Sequence, residues 1–137
     1  MKDKSGIILF AIIEIVIGIV TLAAVILSIA QASSTKPLEV IIFVLVTACI
    51  SMILGFGILR QSPTSYYLLL YFSSVIILSK ILIFARIINL SGALETSIPS
   101  HLKNLISVFY HSLLIFYFMR PSIRDIFIKN SFWPHDF

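Results

Sequence analysis

Three ionisable side chains, Glu14, Lys80 and His111, lie deep inside apolar stretches of this chain, away from their ends. A charged group at the centre of a membrane span costs about 2.5–3.5 kcal/mol, so each must face a partner or a water-filled cavity. A carboxyl group so placed can take up and return a proton, and an imidazole at the same depth can relay one. At about 1.5 Å per helical residue, Glu14 sits about 12 Å from residue 6, and His111 about 12 Å back from residue 119. The two reach the same depth, as a proton relay or as a structural hydrogen bond between their helices. Lys80 lies about 21 Å from Tyr66 on the same scale. The remaining gap to Glu14, about 9 Å in depth, is one that two long side chains and some tilt can close. A Glu14–Lys80 salt bridge therefore competes with the Glu14–His111 pair. Tyr110 and Tyr117 can extend either network.

Other chemistries are missing from the sequence. It has no Gly-rich phosphate loop, no His-x-Glu, Cys-x-x-Cys or His-Glu-x-x-His spacing, and no serine in a nucleophile-elbow setting. His101, His111 and His135 are scattered, and Cys49 stands alone, so no intramolecular disulfide can form. The expectation is a protein without metal or cofactor, and not an enzyme.

These residues need elements that hold them in an apolar medium. Of the 137 residues, 59% are hydrophobic and 12% charged, with a mean hydropathy of +1.08. A single soluble core of this size cannot bury so much apolar surface, so the remainder needs lipid. Four apolar runs stand out, at about residues 6–30, 38–59, 65–90 and 100–119. Each is close to the ~20 residues that cross a hydrocarbon core as helix. They lack period-two alternation and are too long for barrel strands, and backbone in lipid must bond internally, so helix is the remaining choice. The fold class is therefore all-α: one domain over 1–137, a four-transmembrane-helix bundle running up-down-up-down, with a tail over 120–137. The first run is too long for a secretory h-region and contains Glu14, so it is expected to stay as a spanning helix.

Turn chemistry separates the runs. Residues 31–37 are polar and end in Pro37. Arg60, Gln61, Ser62, Pro63 and Thr64 make a tight hairpin between the second and third helices. Gly92 is the expected stop of the third helix, and Ser100 the N-cap of the fourth. On the second helix Thr47, Ser51 and Gly55 fall at four-residue spacing, a small-residue face along which helices can approach closely.

The net charge of +4 is a topology signal. Aromatic residues sit within apolar runs rather than among basic clusters, which excludes nucleic acid as a partner. With four crossings, Lys2, Lys4, Arg60, Arg120, Arg124 and Lys129 share one side, and Lys36 and Lys103 share the other with Glu39 and Glu95. The positive-inside rule then puts both termini in the cytoplasm. Tyr66, Tyr67 and Tyr71 fall where an inner aromatic belt belongs. In the tail, Ser122 and Asp125 form a capping box, and Ile123, Ile126 and Phe127 share a face. Phe132 and Trp133 suit a headgroup layer. The pattern predicts a short amphipathic helix on the inner leaflet, with Arg120, Arg124 and Lys129 toward anionic lipid.

Two segments resemble a class of small bacterial four-helix inner-membrane proteins with no assigned activity. They are Gly55-Phe56-Gly57-Ile58-Leu59-Arg60 followed by Pro63, and the stretch from Tyr117 to Phe127, similar to a closing Arg-Pro-x-Val-Lys-x-x-Phe. The resemblance implies a bacterial inner-membrane location. Glu14-Ile15-Val16-Ile17-Gly18 resembles the first helix of the small multidrug resistance transporters, whose membrane glutamate exchanges protons for lipophilic cations. Here Lys80 and Arg86 oppose a cationic substrate, and the third helix lacks the aromatic and Gly-rich pattern of that family. Two functions follow as expectations. The first is a non-enzymatic accessory or scaffolding subunit, contacting anionic lipid and a membrane-protein partner or a second copy of itself. The alternative is a small proton-coupled transporter or exchanger using Glu14.

Overall fold

The structure is a computed structural model and describes residues 2–31, 37–87 and 99–129. It is all-α among the described residues: α1 (Lys2–Ala30), α2 (Leu38–Leu59), α3 (Pro63–Phe84), α4 (Ser100–Phe118) and α5 (Pro121–Lys129). By length and composition α1, α2 and α3 can each cross a membrane. The fourth expected span differs. Lys103, Asn104 and His111 dilute α4, and it qualifies only when joined to α5, from which it is bent by 68°. Large apolar side chains such as Ile53, Tyr71 and Phe116 point outward, a surface that suits hydrocarbon rather than water.

The closest helix pair is α1 with α2. Its contact face is built from small residues. A side chain at Gly18 would run into Met52 and the Ala48 carbonyl, and one at Gly55 would run into Ile15 and the Ala11 carbonyl. Ala11 and Ala48 are themselves almost fully buried. The matched positions run in reverse order along the two helices, Ala11 by Gly55 and Gly18 by Ala48, with Glu14 and Ser51 between them. No such approach occurs between α1 and α4, which are joined by long aromatic side chains. Phe10 packs on Tyr110, Tyr117 and Phe118, with ring centroids 6.1, 5.0 and 5.9 Å apart.

At the end of the bundle where α4 stops, Pro121 opens α5 at the first helical position, where a missing N–H costs nothing. Ser122 therefore lies inside the helix, and the backbone N–H groups of Ile123 and Arg124 bond the Arg120 carbonyl, so the capping box is not formed. The amphipathic face is real but covers protein. Ile123 and Phe127 have no exposed surface, and Phe127 stacks on Tyr66 at 5.0 Å. Tyr66 is buried as well, its hydroxyl donating to the Phe118 carbonyl at 2.9 Å. Only Tyr67 and Tyr71 of the expected belt are exposed.

Two helices close by one device, and it moves the end of α3 away from expectation. α3 stops at Phe84, not near residue 90, because Arg86 takes a left-handed conformation (φ 58°). The N–H groups of Arg86 and Ile87 return to the carbonyls of Ile83 and Leu82, a Schellman closure without glycine. Gln61 (φ 55°) closes α2 in the same way, through bonds to Ile58 and Gly57. Ser62 then caps α3 by accepting from the Ser65 N–H, so the hairpin is shorter than expected. At α4 the cap position is Pro99, with no side-chain cap bond, and Ser100 is already helical. Gly92 lies outside the described residues.

The packing leads to two expected outcomes. Gly55→Leu should lower stability by about 1–3 kcal/mol, the usual cost of overpacking, measured by thermal or denaturant unfolding in mild detergent. Ile53→Ala, on the outward face, should be close to neutral. Phe127→Ala should cost about 3–5 kcal/mol. A melt unchanged from wild type would mean that α5 is not part of the core.

Candidate functional site

Glu14 is the centre of the interior polar group. It is 1% exposed and is held from two other helices. The Ser51 hydroxyl of α2 donates to its Oε2 and lies 3.2 Å from the Glu14 backbone carbonyl. The Tyr110 hydroxyl of α4 donates to Oε1 at 3.0 Å. A serine can touch both the side chain and the backbone of its neighbour only where helices nearly meet. The Gly18 and Gly55 contacts on either side provide that approach.

The direct partners of the carboxylate are thus Ser51 and Tyr110, not the expected His111 or Lys80. Both signals were available in the sequence. Ser51 lies about 12 Å from the end of α2 at Leu59, the same depth as Glu14 by helical rise. Tyr110 precedes the residue singled out at that depth on α4. Depth alone does not rank serine and tyrosine above histidine and lysine; the close approach of α1 and α2 does.

Lys80 and His111 instead line a hollow of about 190 Å³, together with Thr47, Ser51, Ser79 and Ser107. All four long helices contribute, since Ile17 and Thr21 of α1 also face it. His111 is nearly buried, and its Nδ1 lies 2.7 Å from the Ser107 carbonyl. A carbonyl oxygen only accepts, so Nδ1 carries a proton and donates it to Ser107. Ser51 belongs to both the carboxylate's clamp and the wall of this hollow, and so connects Glu14 to it. Among the described residues no hydrogen bond or ion pair engages the Lys80 ammonium.

The expected packing face on α2 is shifted rather than lost. Ser51 and Gly55 meet α1, but Thr47 turns its hydroxyl back to the Phe43 and Val44 carbonyls at 2.9 and 3.0 Å and lines the hollow. Ala48 and Met52 complete the true face.

At the α5 end, Arg120 lies over the Tyr117 ring at 5.7 Å, and Arg60, Arg124 and Lys129 are exposed. Lys4, Gln61, Asp125 and Lys129 line a second, polar hollow of about 440 Å³. Three distant parts of the sequence are thereby gathered into one basic rim. Trp133 lies outside the described residues, as do Lys36 and Glu95. Among the described residues no three His, Cys, Asp or Glu side chains form a metal-binding group. Compared with protein-family models, curated proteins and solved structures, the chain matches none.

The clamp predicts a pattern of stabilities. Ser51→Ala and Tyr110→Phe should each lower stability by roughly 1 kcal/mol, as hydrogen bonds within membranes usually do. The double variant should lose less than the two single losses added, because the partners share one carboxylate. Full additivity in a denaturant titration would show that the two hydroxyls do not act on one group.

Proposed function

We propose that this chain is a four-span membrane protein acting as a non-enzymatic accessory or scaffolding subunit. The spans run up-down-up-down, and both termini are cytoplasmic. The reversed order of contacts between α1 and α2 supports the alternation, as do the Tyr66–Phe118 and Phe84–His101 contacts at opposite ends of α3 and α4. The distribution of Lys and Arg supports the orientation. The resemblance of the tail to small bacterial proteins supports a bacterial inner membrane.

One observation carries the accessory reading. Glu14, the residue on which an exchange chemistry would rest, is spent on joining α1, α2 and α4. The rim of Arg60, Arg124 and Lys129 is meanwhile exposed, on an end of the bundle kept in shape by α5. This rim is the contact for anionic lipid and for a membrane-protein partner or a second copy. Removing the tail is a poor test, because Ile123 and Phe127 are part of the core. The test is charge reversal. A triple variant, Arg60→Glu, Arg124→Glu and Lys129→Glu, should melt like wild type yet lose whatever co-purifies with the wild-type protein in mild detergent. If every association survives, the accessory reading is wrong.

The hollow beside Lys80 and His111 favours a second reading, a proton-coupled exchanger. On that reading Glu14→Gln abolishes coupled uptake into proteoliposomes while the protein still folds. On the accessory reading the same variant changes stability alone.

A further inference from the structure

The hollow at Lys80 is not isolated. Phe43, Thr47, Phe72 and Ile76 form its edge and also the edge of a larger trough of about 520 Å³ between α2 and α3. The two hollows differ in chemistry. Beyond Thr47 and the Tyr71 hydroxyl the trough is apolar, walled by residues such as Ile50, Ile53, Leu68 and Val75. The hollow offers an ammonium, an imidazole and hydroxyl groups. The size of the trough falls within the range of sites that take small organic ligands, roughly 300–1,000 Å³. It exists because α2 and α3 are the least intimate sequential pair among the four long helices, while α2 is drawn tightly to α1.

The geometry points to a binding site for a single-chain amphiphile with a carboxylate head: the chain in the α2–α3 trough, the head at Lys80. Three observations fix the occupant. First, Lys80 is a recessed cation that no counter-ion engages among the described residues, and a cation in apolar surroundings needs one. Second, the hollow has a volume of only about 190 Å³, which suits a compact head such as a carboxylate rather than a phosphate carrying ester groups. Third, Leu68 at the far end of the trough is about 18 Å along α3 from Lys80, the span of a medium-length acyl chain. The ligand therefore lies along the helices, head toward the Phe84 end of α3 and tail toward the Pro63 end. The site does not depend on the accessory reading, since the basic rim lies at the opposite end of α3.

The test is binding of tritiated dodecanoate to the full chain in phosphatidylcholine nanodiscs at mildly alkaline pH, with protein-free nanodiscs as background. Saturable binding is expected. Lys80→Met should weaken it about tenfold, the value of one charge-assisted contact. Leu68→Trp, which fills the trough from an exposed position without touching Lys80, should weaken it comparably, and both variants should melt like wild type. Dodecanol should compete poorly because it lacks the charge, and acetate poorly because it lacks the chain. The proposal is overturned by equal binding in the Lys80→Met variant, by displacement with acetate as effective as with unlabelled dodecanoate, or by no saturable binding. Should Lys80→Met fail to fold, Leu68→Trp and the two competitors decide the outcome.

Discussion

The whole arrangement depends on one constraint: Glu14 is an acid in the middle of an apolar helix, and its carboxylate must be satisfied by protein. Hydrocarbon offers no hydrogen bonds, so each oxygen needs a donor from a neighbouring helix. A serine is short, and Ser51 reaches Oε2 only because α1 and α2 nearly touch. Gly18, Gly55, Ala11 and Ala48 have the size that contact requires. A tyrosine is long, and Tyr110 reaches Oε1 from α4 across a gap that Phe10 and Tyr117 fill. The same carboxylate thus sets a close interface on one side and an aromatic-spaced one on the other.

That asymmetry explains where the empty space lies. α2 is drawn toward α1 at its small-residue face, while the aromatic cluster of Tyr66, Phe118 and Phe127 fixes α3 and α4 to α5 at one end. Both pulls take α2 and α3 apart along the middle of their length, beyond the tight turn at Gln61 and Ser62. The apolar trough and the polar hollow are the result. Filling the polar hollow would require larger side chains where Thr47, Ser79 and Ser107 now stand.

Much of the fold was legible because it rests on composition and run length. The helices around Glu14, Cys49, Lys80 and His111 follow from the need to bond backbone in an apolar run. The ends were less legible. A helix stop is usually sought at glycine: the end of α2 at Leu59 is legible from the polar turn that follows it, but α3 closes early through Arg86 in left-handed geometry, which that residue type does not announce. The tail's amphipathic pattern was visible, but a sequence pattern does not distinguish a face turned to lipid from one turned to protein, and Ile123 and Phe127 belong to the second kind. The site was half legible. Depth along a helix identified Glu14, Lys80 and His111 as sharing the interior, but rotation about the helix axis decides which of them touch. That rotation is set by glycines and alanines whose importance lies in what they lack.

The interior polar residues accordingly have different status. Glu14 has its two donors and sits where the backbones leave no room, so its carboxyl group is a fixed part of the scaffold. His111 is tied through Nδ1 to the Ser107 carbonyl, which fixes its ring orientation, while among the described residues Nε2 has no hydrogen-bond partner. Lys80 has neither donor-sharing partner nor counter-ion among the described residues and stands at the wall of open space. A buried charge that is paired explains its own presence through packing. One that faces a cavity does not, because a leucine or methionine in its place would satisfy the same helix at lower cost. Of the three, Lys80 is therefore the residue whose presence calls for something outside the chain, and the trough leading to it limits what that can be.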